Sequence, residues 1–248
     1  MMTVAAARLL KDGAICFVGI GLPSAAANLA RATHAPDVVL IYESGTIGAK
    51  PDVLPLSIGD GELAESADSV VSTPEIFRYW LQGGRVDVGF LGAAQLDRFG
   101  NINTTVIGNY NAPKTRLPGA GGAPEIAACA GEVFIILRQS PRAFVDKLAF
   151  ITSAGYADGG NWRADKSLPG KGPTVVISDI GIMRPHPESR ELVMTDLHPG
   201  FTMADAEAAT GWPLQSAATC GETPPPSAQE LAALRDMNER TARAHAGG

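Results

Sequence analysis

The 248-residue sequence predicts an α/β fold, an open and mostly parallel sheet flanked by helices. Three observations lead there. Short apolar, β-prone runs alternate with helical stretches. Glycine-rich connections separate several of the runs from the helix that follows. A hydrophobic content of 45% supplies a core of ordinary size. The length suits one large α/β domain or two small ones.

A helix is expected over residues 3–11, a strand over 14–18 and a second helix over 24–32. Residues 13–30 carry no charge and on a crude count mimic a membrane span. Gly13, Gly19, Gly21 and Pro23 interrupt the run, and Ser24 and Asn28 are polar, so strand, loop and helix is the reading. No signal-peptide pattern precedes it. Further strands are expected over 38–42, 86–91, 133–137, 149–152 and 174–178. A third helix spans 74–82, from a Thr-Pro start to a stop at Gly83-Gly84. Thr202 caps a short helix ending at Gly211. The Pro-rich stretch 223–226 reads as a linker, and Ser227 with Glu230 forms a capping box for a last helix.

The expected organisation is therefore one α/β domain over 1–222. A linker and helix over 223–248 would pack on the body or on a partner. Residues 155–173 read as a long surface excursion, suited to a flap or a dimer contact.

The formal net charge is −6 and the pI about 5.2. This argues against nucleic acid as the main partner and offers no polybasic membrane patch. A locally basic cleft for a small anion stays open. Cys16, Cys129 and Cys220 are odd in number and far apart, which suggests neither a disulfide framework nor a zinc site. Cys16 and Cys129 sit among apolar or small residues and read as buried thiols. A reducing cytoplasm fits.

The most informative residue is Glu43, in YESG (42–45). Its charge arrives where a buried run, 38–42, stops, and an acid there is costly to desolvate. In open α/β sheets this is also where ligands and catalytic groups gather. A helix-capping or ion-paired acid is the alternative. GIGLPS (19–24) joins a strand to a helix, so the backbone at Gly19 and Gly21 can face an anionic ligand. A tight turn with Pro23 at the helix start is the plainer reading. GAGGAPEIA (119–127) leads a mobile backbone into a helix start at Pro124. Such a nest presents adjacent N–H groups to an oxyanion, or it is a flexible connector. In GAAQLDRFGNINTTVIG (92–108), residues 97–100 read as a hairpin turn. Gln95 and Asn103 are candidates for substrate contact, or they hold the loop in shape. Gln82 and Arg116 join them as candidates for gripping a second carboxylate. His34, His186, His198 and His245 lie near no serine or cysteine elbow, so a histidine-based triad is not expected. His34 reads as a helix-end dipole partner and His198-Pro199-Gly200 as a turn.

Taken in order, GIGLPS, YESGTIGAKP, LSIGDGELAE, FRYWLQGG, GAAQLDRFGNINTTVIG, RLPGAGGAPEIA and VDKLAFITS resemble the B (β) subunit of class I CoA-transferases. The likeness is greater to the 3-oxoadipate branch than to the glutaconate branch. It runs from residue 19 to residue 153 and extends over most of the chain. The resemblance implies an open α/β fold and places the catalytic glutamate on Glu43. Many relatives read Glu-Asn-Gly here, so Ser44, the backbone or a neighbour must replace the Asn hydrogen bond.

The resemblance also puts backbone oxyanion contacts at Gly121 and Gly122. The candidates for substrate or CoA contact, read from the motifs themselves, are Gly19, Gly21, Ser44, Gly45, Gln95, Asn103 and Gly119. The implied reaction moves CoA from succinyl-CoA to 3-oxoadipate through a glutamyl-CoA thioester, in aromatic-compound breakdown by the β-ketoadipate route. No metal or redox cofactor is implied. The implied partner is a separate A subunit in an α2β2 assembly.

Overall fold

The computed structural model describes residues 1–246 and divides into two compact units. The first is Met1–Phe90 together with the stretch that begins at Pro225. The second is Leu91–Pro224.

The first unit opens with α1 (Met2–Ala7), whose residues Val4 to Ala7 are buried against α2 (Leu22–Thr33). Between them runs β1 (Ile15–Phe17), and β2 (Val39–Ile41) pairs parallel to it with Cys16 opposite Leu40. β3 (Thr46–Ile47) then turns back antiparallel to β2. Next come α3 (Gly61–Glu65), capped by the Asp60 side chain, and β4 (Ser69–Val70), antiparallel to β3. α4 (Thr73–Glu75) starts at the Ser72/Glu75 capping box and widens into a π-helix, Ile76–Leu81. β5 (Val88–Leu91) joins β1 in parallel, giving the order β5-β1-β2-β3-β4.

The π-helix departs from the α-helix expected over 74–82, and it accompanies burial of both its ends. Ile76 and Leu81 are five residues apart and both fully buried. The wider π turn brings residues five apart nearer to one face than an α-helix does. Gln82 N donates to Phe77 O at 2.8 Å and Arg85 N to Trp80 O at 2.9 Å, which is the i→i−5 pattern.

The second unit begins with two hairpins. β6 (Gln95–Leu96) and β7 (Ile102–Asn103) flank the expected turn, closed by Gly100 N donating to Asp97 O. β8 (Val106–Gly108) and β9 (Pro113–Arg116) form the next. α5 (Ala123–Cys129) follows the glycine cluster. β10 (Glu132–Ile136) pairs parallel to β11 (Pro173–Ile177), with α6 (Trp162–Asp165) between them in sequence. β12 (Gly181–Pro185) and β13 (Leu192–Leu197) continue antiparallel, and β14 (Gln215–Glu222) lies parallel to β13 beyond α7 (Met203–Ala208).

The fold is thus open α/β, its sheet mostly parallel and flanked by helices. Antiparallel pairings of β2 with β3, β3 with β4, β11 with β12 and β12 with β13 interrupt the parallel order, and apolar patterning gives no sign of them. The strand expected over 149–152 is absent. That segment leads into an isolated bridge, Ile102 to Ser153, and Ile151 is half exposed.

Residues 155–173 are not a simple surface excursion. Arg163 on α6 is 6% exposed, and its guanidinium donates to Gly170 O, Gly155 O, Ala127 O and Ala128 O at 2.9–3.2 Å. One arginine side chain therefore gathers four backbone carbonyls and fastens the segment to α5. Burial lowers its pKa from the ordinary value, with no carboxylate beside it.

The last helix is α8 (Ala228–His245), started by the Ser227/Glu230 capping box. It packs on α2 and buries Met237. Arg8 Nε and Nη2 donate to the two Glu230 oxygens at 2.6 and 2.7 Å, a bidentate pair. The Arg8 hydrogen bond holds the Glu230 carboxyl at about 2, below its ordinary 4.5. The folded form binds this proton less tightly than the unfolded form. The bridge therefore contributes fully above pH 4.5 and is lost as the pH falls towards 2. Hydrogen-exchange protection of α8 is expected to fall in that window and to lose the dependence in Arg8→Ala. Protection that stays constant in the native chain would contradict this linkage.

Candidate active site

Parallel pairing of β1 and β2 brings their C-terminal ends side by side, with Val18 N donating to Ile41 O at 2.9 Å. The first two motifs leave the sheet there. After β1, Gly21 takes φ 81° as the N-cap of α2, which a side chain would resist, and a Cβ there would meet nothing. Gly19 precedes it in the same connection. After β2, Tyr42 is wholly buried, and its hydroxyl lies 3.2 Å from Ser24 Oγ. Asn28 Nδ2 donates to Ser24 O at 2.9 Å. Burial, first among its causes, raises the Tyr42 pKa. GIGLPS and YESG are thus joined by a buried polar contact that neither motif announces alone.

Glu43 and Ser44 occupy the middle of a tight turn between β2 and β3. Gly45 N donates to Tyr42 O at 3.0 Å and Tyr42 N to Thr46 O at 3.1 Å. Both side chains are half-buried. Ser44 Oγ is buried and has no hydrogen-bond partner in the described chain. Gly45 closes the turn at φ 106°, and a Cβ there would stand 1.9 Å from Val71 O. Gly45 O also accepts from Val71 N at 2.9 Å. The acid is therefore carried by a turn locked on both sides of its backbone, at the C-terminal end of a parallel strand pair.

In the second unit, Asn103 is buried and both ends of its amide are engaged. Nδ2 donates to Gln95 Oε1 at 3.0 Å and to Val106 O at 2.7 Å. Oδ1 accepts from the N–H groups of Thr105 and Val106. This geometry holds the β7–β8 loop. Among the described residues, Gln95 Nε2 reaches only Arg142 O, at 3.4 Å. The loop in turn holds the glycine cluster, since Gly119 N donates to Thr104 O at 2.8 Å.

Gly119 and Gly121 have φ of 110° and 49°, and Gly122 is the N-cap of α5. Among the described residues no acceptor takes the N–H of Gly121 or Gly122. Adjacent uncommitted N–H groups of this kind can stabilise an oxyanion. Arg116 lies over the Tyr110 ring at 4.8 Å and donates to Tyr110 O, so its guanidinium is partly committed.

The other reactive side chains are structural. Cys16 is buried and its thiol is pushed up by burial, whereas Cys129 is only half-buried, contrary to expectation. His34 Nε2 lies 3.1 Å from Leu10 O at the end of α2. His198 is not merely a turn residue. It is buried, with Nε2 donating to Ser178 O at 2.9 Å and Nδ1 2.7 Å from Thr223 Oγ1. Burial lowers its pKa from the ordinary value. No described helix is long and apolar enough to cross a membrane.

The fold is that of the open α/β proteins, in which ligands gather at strand C-termini, and Glu43 stands at such a position. The sequence pattern of the Coenzyme A transferase family matches residues 1–206, and the chain belongs to that family. It is a chain of an enzyme, a CoA-transferase of the B-subunit type. It is 69% identical to the B subunit of 3-oxoadipate CoA-transferase from Pseudomonas knackmussii over 245 residues, 99% of this chain and 94% of that one. It is 34% identical to the B subunit of glutaconate CoA-transferase from Acidaminococcus fermentans, over 93% of this chain and 89% of the relative. The crystal structure of glutaconate coenzyme A-transferase from Acidaminococcus fermentans superposes with a TM-score of 0.88 at 31% identity. It covers 95% of this chain and 92% of that one.

Proposed function

We propose that the chain is the B subunit of a transferase that moves CoA from succinyl-CoA to 3-oxoadipate, with Glu43 as the covalent nucleophile. The observation that carries the substrate assignment is the 69% identity to a 3-oxoadipate CoA-transferase chain across 99% of this one. The geometry supports the chemical part. Glu43 sits on a rigid turn at a sheet end, beside a buried hydroxyl on Ser44 that nothing in the described chain satisfies.

In this reading the Glu43 carboxylate attacks the succinyl-CoA carbonyl. The C–S bond breaks, leaving a succinyl-glutamyl anhydride and the CoA thiolate. The thiolate attacks the glutamyl carbonyl and expels succinate, giving the glutamyl-CoA thioester. 3-Oxoadipate then reverses the two steps and leaves as its CoA thioester. The charge on each tetrahedral oxygen needs donors in place before it forms. We assign that work to the N–H groups of Gly121 and Gly122. Gly19, Gly21, Ser44, Gly45 and Gly119 line the substrate path, Gln95 offers its amide, and Asn103 holds Gln95 and the loop. Water must be excluded, because the anhydride hydrolyses. The cycle uses no metal or redox group. We place it in the cytoplasm, in β-ketoadipate breakdown of aromatic compounds.

Relatives named as subunits support an A-subunit partner, in an α2β2 assembly. The chain alone is expected to show no exchange. Co-expression with the A subunit should restore exchange between succinyl-CoA and 3-oxoadipate in preference to acetyl-CoA and glutaconate. Full activity of the isolated chain, or product formed without any acceptor acid, would contradict the proposal.

A further inference from the structure

The second unit contains a cavity of about 470 Å³ that the reaction above does not use. Its walls come from α6, the start of β11, the end of β12 and the turn before β13. Arg163, Lys171, Arg184 and Arg190 line it, and no Asp or Glu does. In a chain of net charge −6, that is a local reversal of sign. We propose that this cavity binds a small molecule through a diphosphate group.

The four cations differ in what they have left to give. Arg163 is the floor. Its donors are spent on backbone carbonyls, so it contributes charge and no ligand contact. A buried guanidinium with no carboxylate beside it keeps a strong field in a poorly solvated place. Lys171 lies 3.5 Å from Glu132, whose other oxygen accepts from Thr174 Oγ1 at 2.9 Å. Among the described residues, Glu132 is the one acid that pairs with this group. Arg184 is exposed and, among the described residues, has no ion pair. Arg190 stands over the Tyr156 ring at 5.5 Å, also without an acid, which orients its planar fork. Four cations against one carboxylate leave three positive charges unmatched.

That excess selects the ligand class. A dicarboxylate carries too little charge to match it, whereas a terminal diphosphate, unlike one esterified at both ends, carries more in a compact group. Guanidinium forks also match phosphate oxygens bidentately. The volume falls within the range of small-molecule sites. The walls are also held in place. The three non-glycine residues with left-handed backbone, Ala157, Ser167 and Arg190, all lie in or beside the segments that line this cavity. Such conformations persist where the surroundings impose them.

The test is calorimetric titration of the full chain with inorganic pyrophosphate at low salt. The chains compared are the native one, Arg184→Ala, Arg190→Asn and the control Arg85→Ala. Asn is chosen because it tolerates φ of 64°. Each cavity variant is expected to weaken binding roughly tenfold, the loss of one charge-assisted contact, with the control unchanged. ADP, added as a competitor, should displace pyrophosphate. Displacement by CoA without displacement by ADP would make the cavity part of the substrate's own site and overturn the proposal. No pyrophosphate binding, equal binding by the variants, or adipate binding as tightly as pyrophosphate would overturn it. Exchange activity is measured separately, so failure here leaves the Glu43 chemistry standing.

Discussion

Glu43→Gln, assayed with the A subunit present, is expected to lose CoA exchange by roughly a thousandfold or more, while its melting temperature stays within a few degrees of native. The amide keeps the size and shape of the carboxyl group. It also stays on a turn whose hydrogen bonds are made by the backbone of Tyr42, Gly45 and Thr46. What it lacks is the anionic oxygen that opens the thioester. Fold and chemistry therefore separate at this position. Near-native turnover of the purified variant would remove Glu43 from the nucleophile's role.

The second large effect is expected from Gly45→Ala, read by thermal melting together with exchange activity. A Cβ at 1.9 Å from Val71 O cannot be accommodated without moving β3 or the segment after β4, because the obstacle is backbone. The φ of 106° adds strain that a side chain does not tolerate. A loss of about 3 kcal/mol or more is expected, with activity lost as the turn carrying Glu43 shifts. Gly21→Ala is the matched comparison. It has φ 81° and ψ −129° but open space at the Cβ, so its cost is backbone strain alone, about 2 kcal/mol. Equal melting of the two variants would show that the contact with Val71 does not hold the turn.

What the sequence makes legible follows from what each element buries. β1, β2, β10 and β11 are readable because each is an apolar run ended by small or polar residues. The Ser227 and Thr202 caps are readable because capping is local chemistry, and both boxes form. β14 is not readable, since QSAATCGE is a mostly exposed edge strand with no apolar alternation. Residues 149–152 mislead in the opposite sense, being apolar enough for a strand but left beside a single bridge.

The same division holds at the site. Glu43 stands out because a charge ends a buried run. The commitment of Asn103 to Gln95, Val106 and Thr105 depends on contacts that residue type does not encode. Arg163 gives no signal among glycines and charges, because its burial is secured by carbonyls scattered over residues 127–170. The cationic cavity above it is invisible for the same reason.

The covalent role of Glu43 is tested most directly by mass spectrometry of the chain after incubation with the A subunit and succinyl-CoA, with acceptor withheld. The expected result is a CoA adduct on the fragment that contains Glu43, absent in Glu43→Gln and discharged when 3-oxoadipate is added. An adduct on Cys129 or Cys220 instead, or full exchange with CoA never attached to the chain, would contradict it.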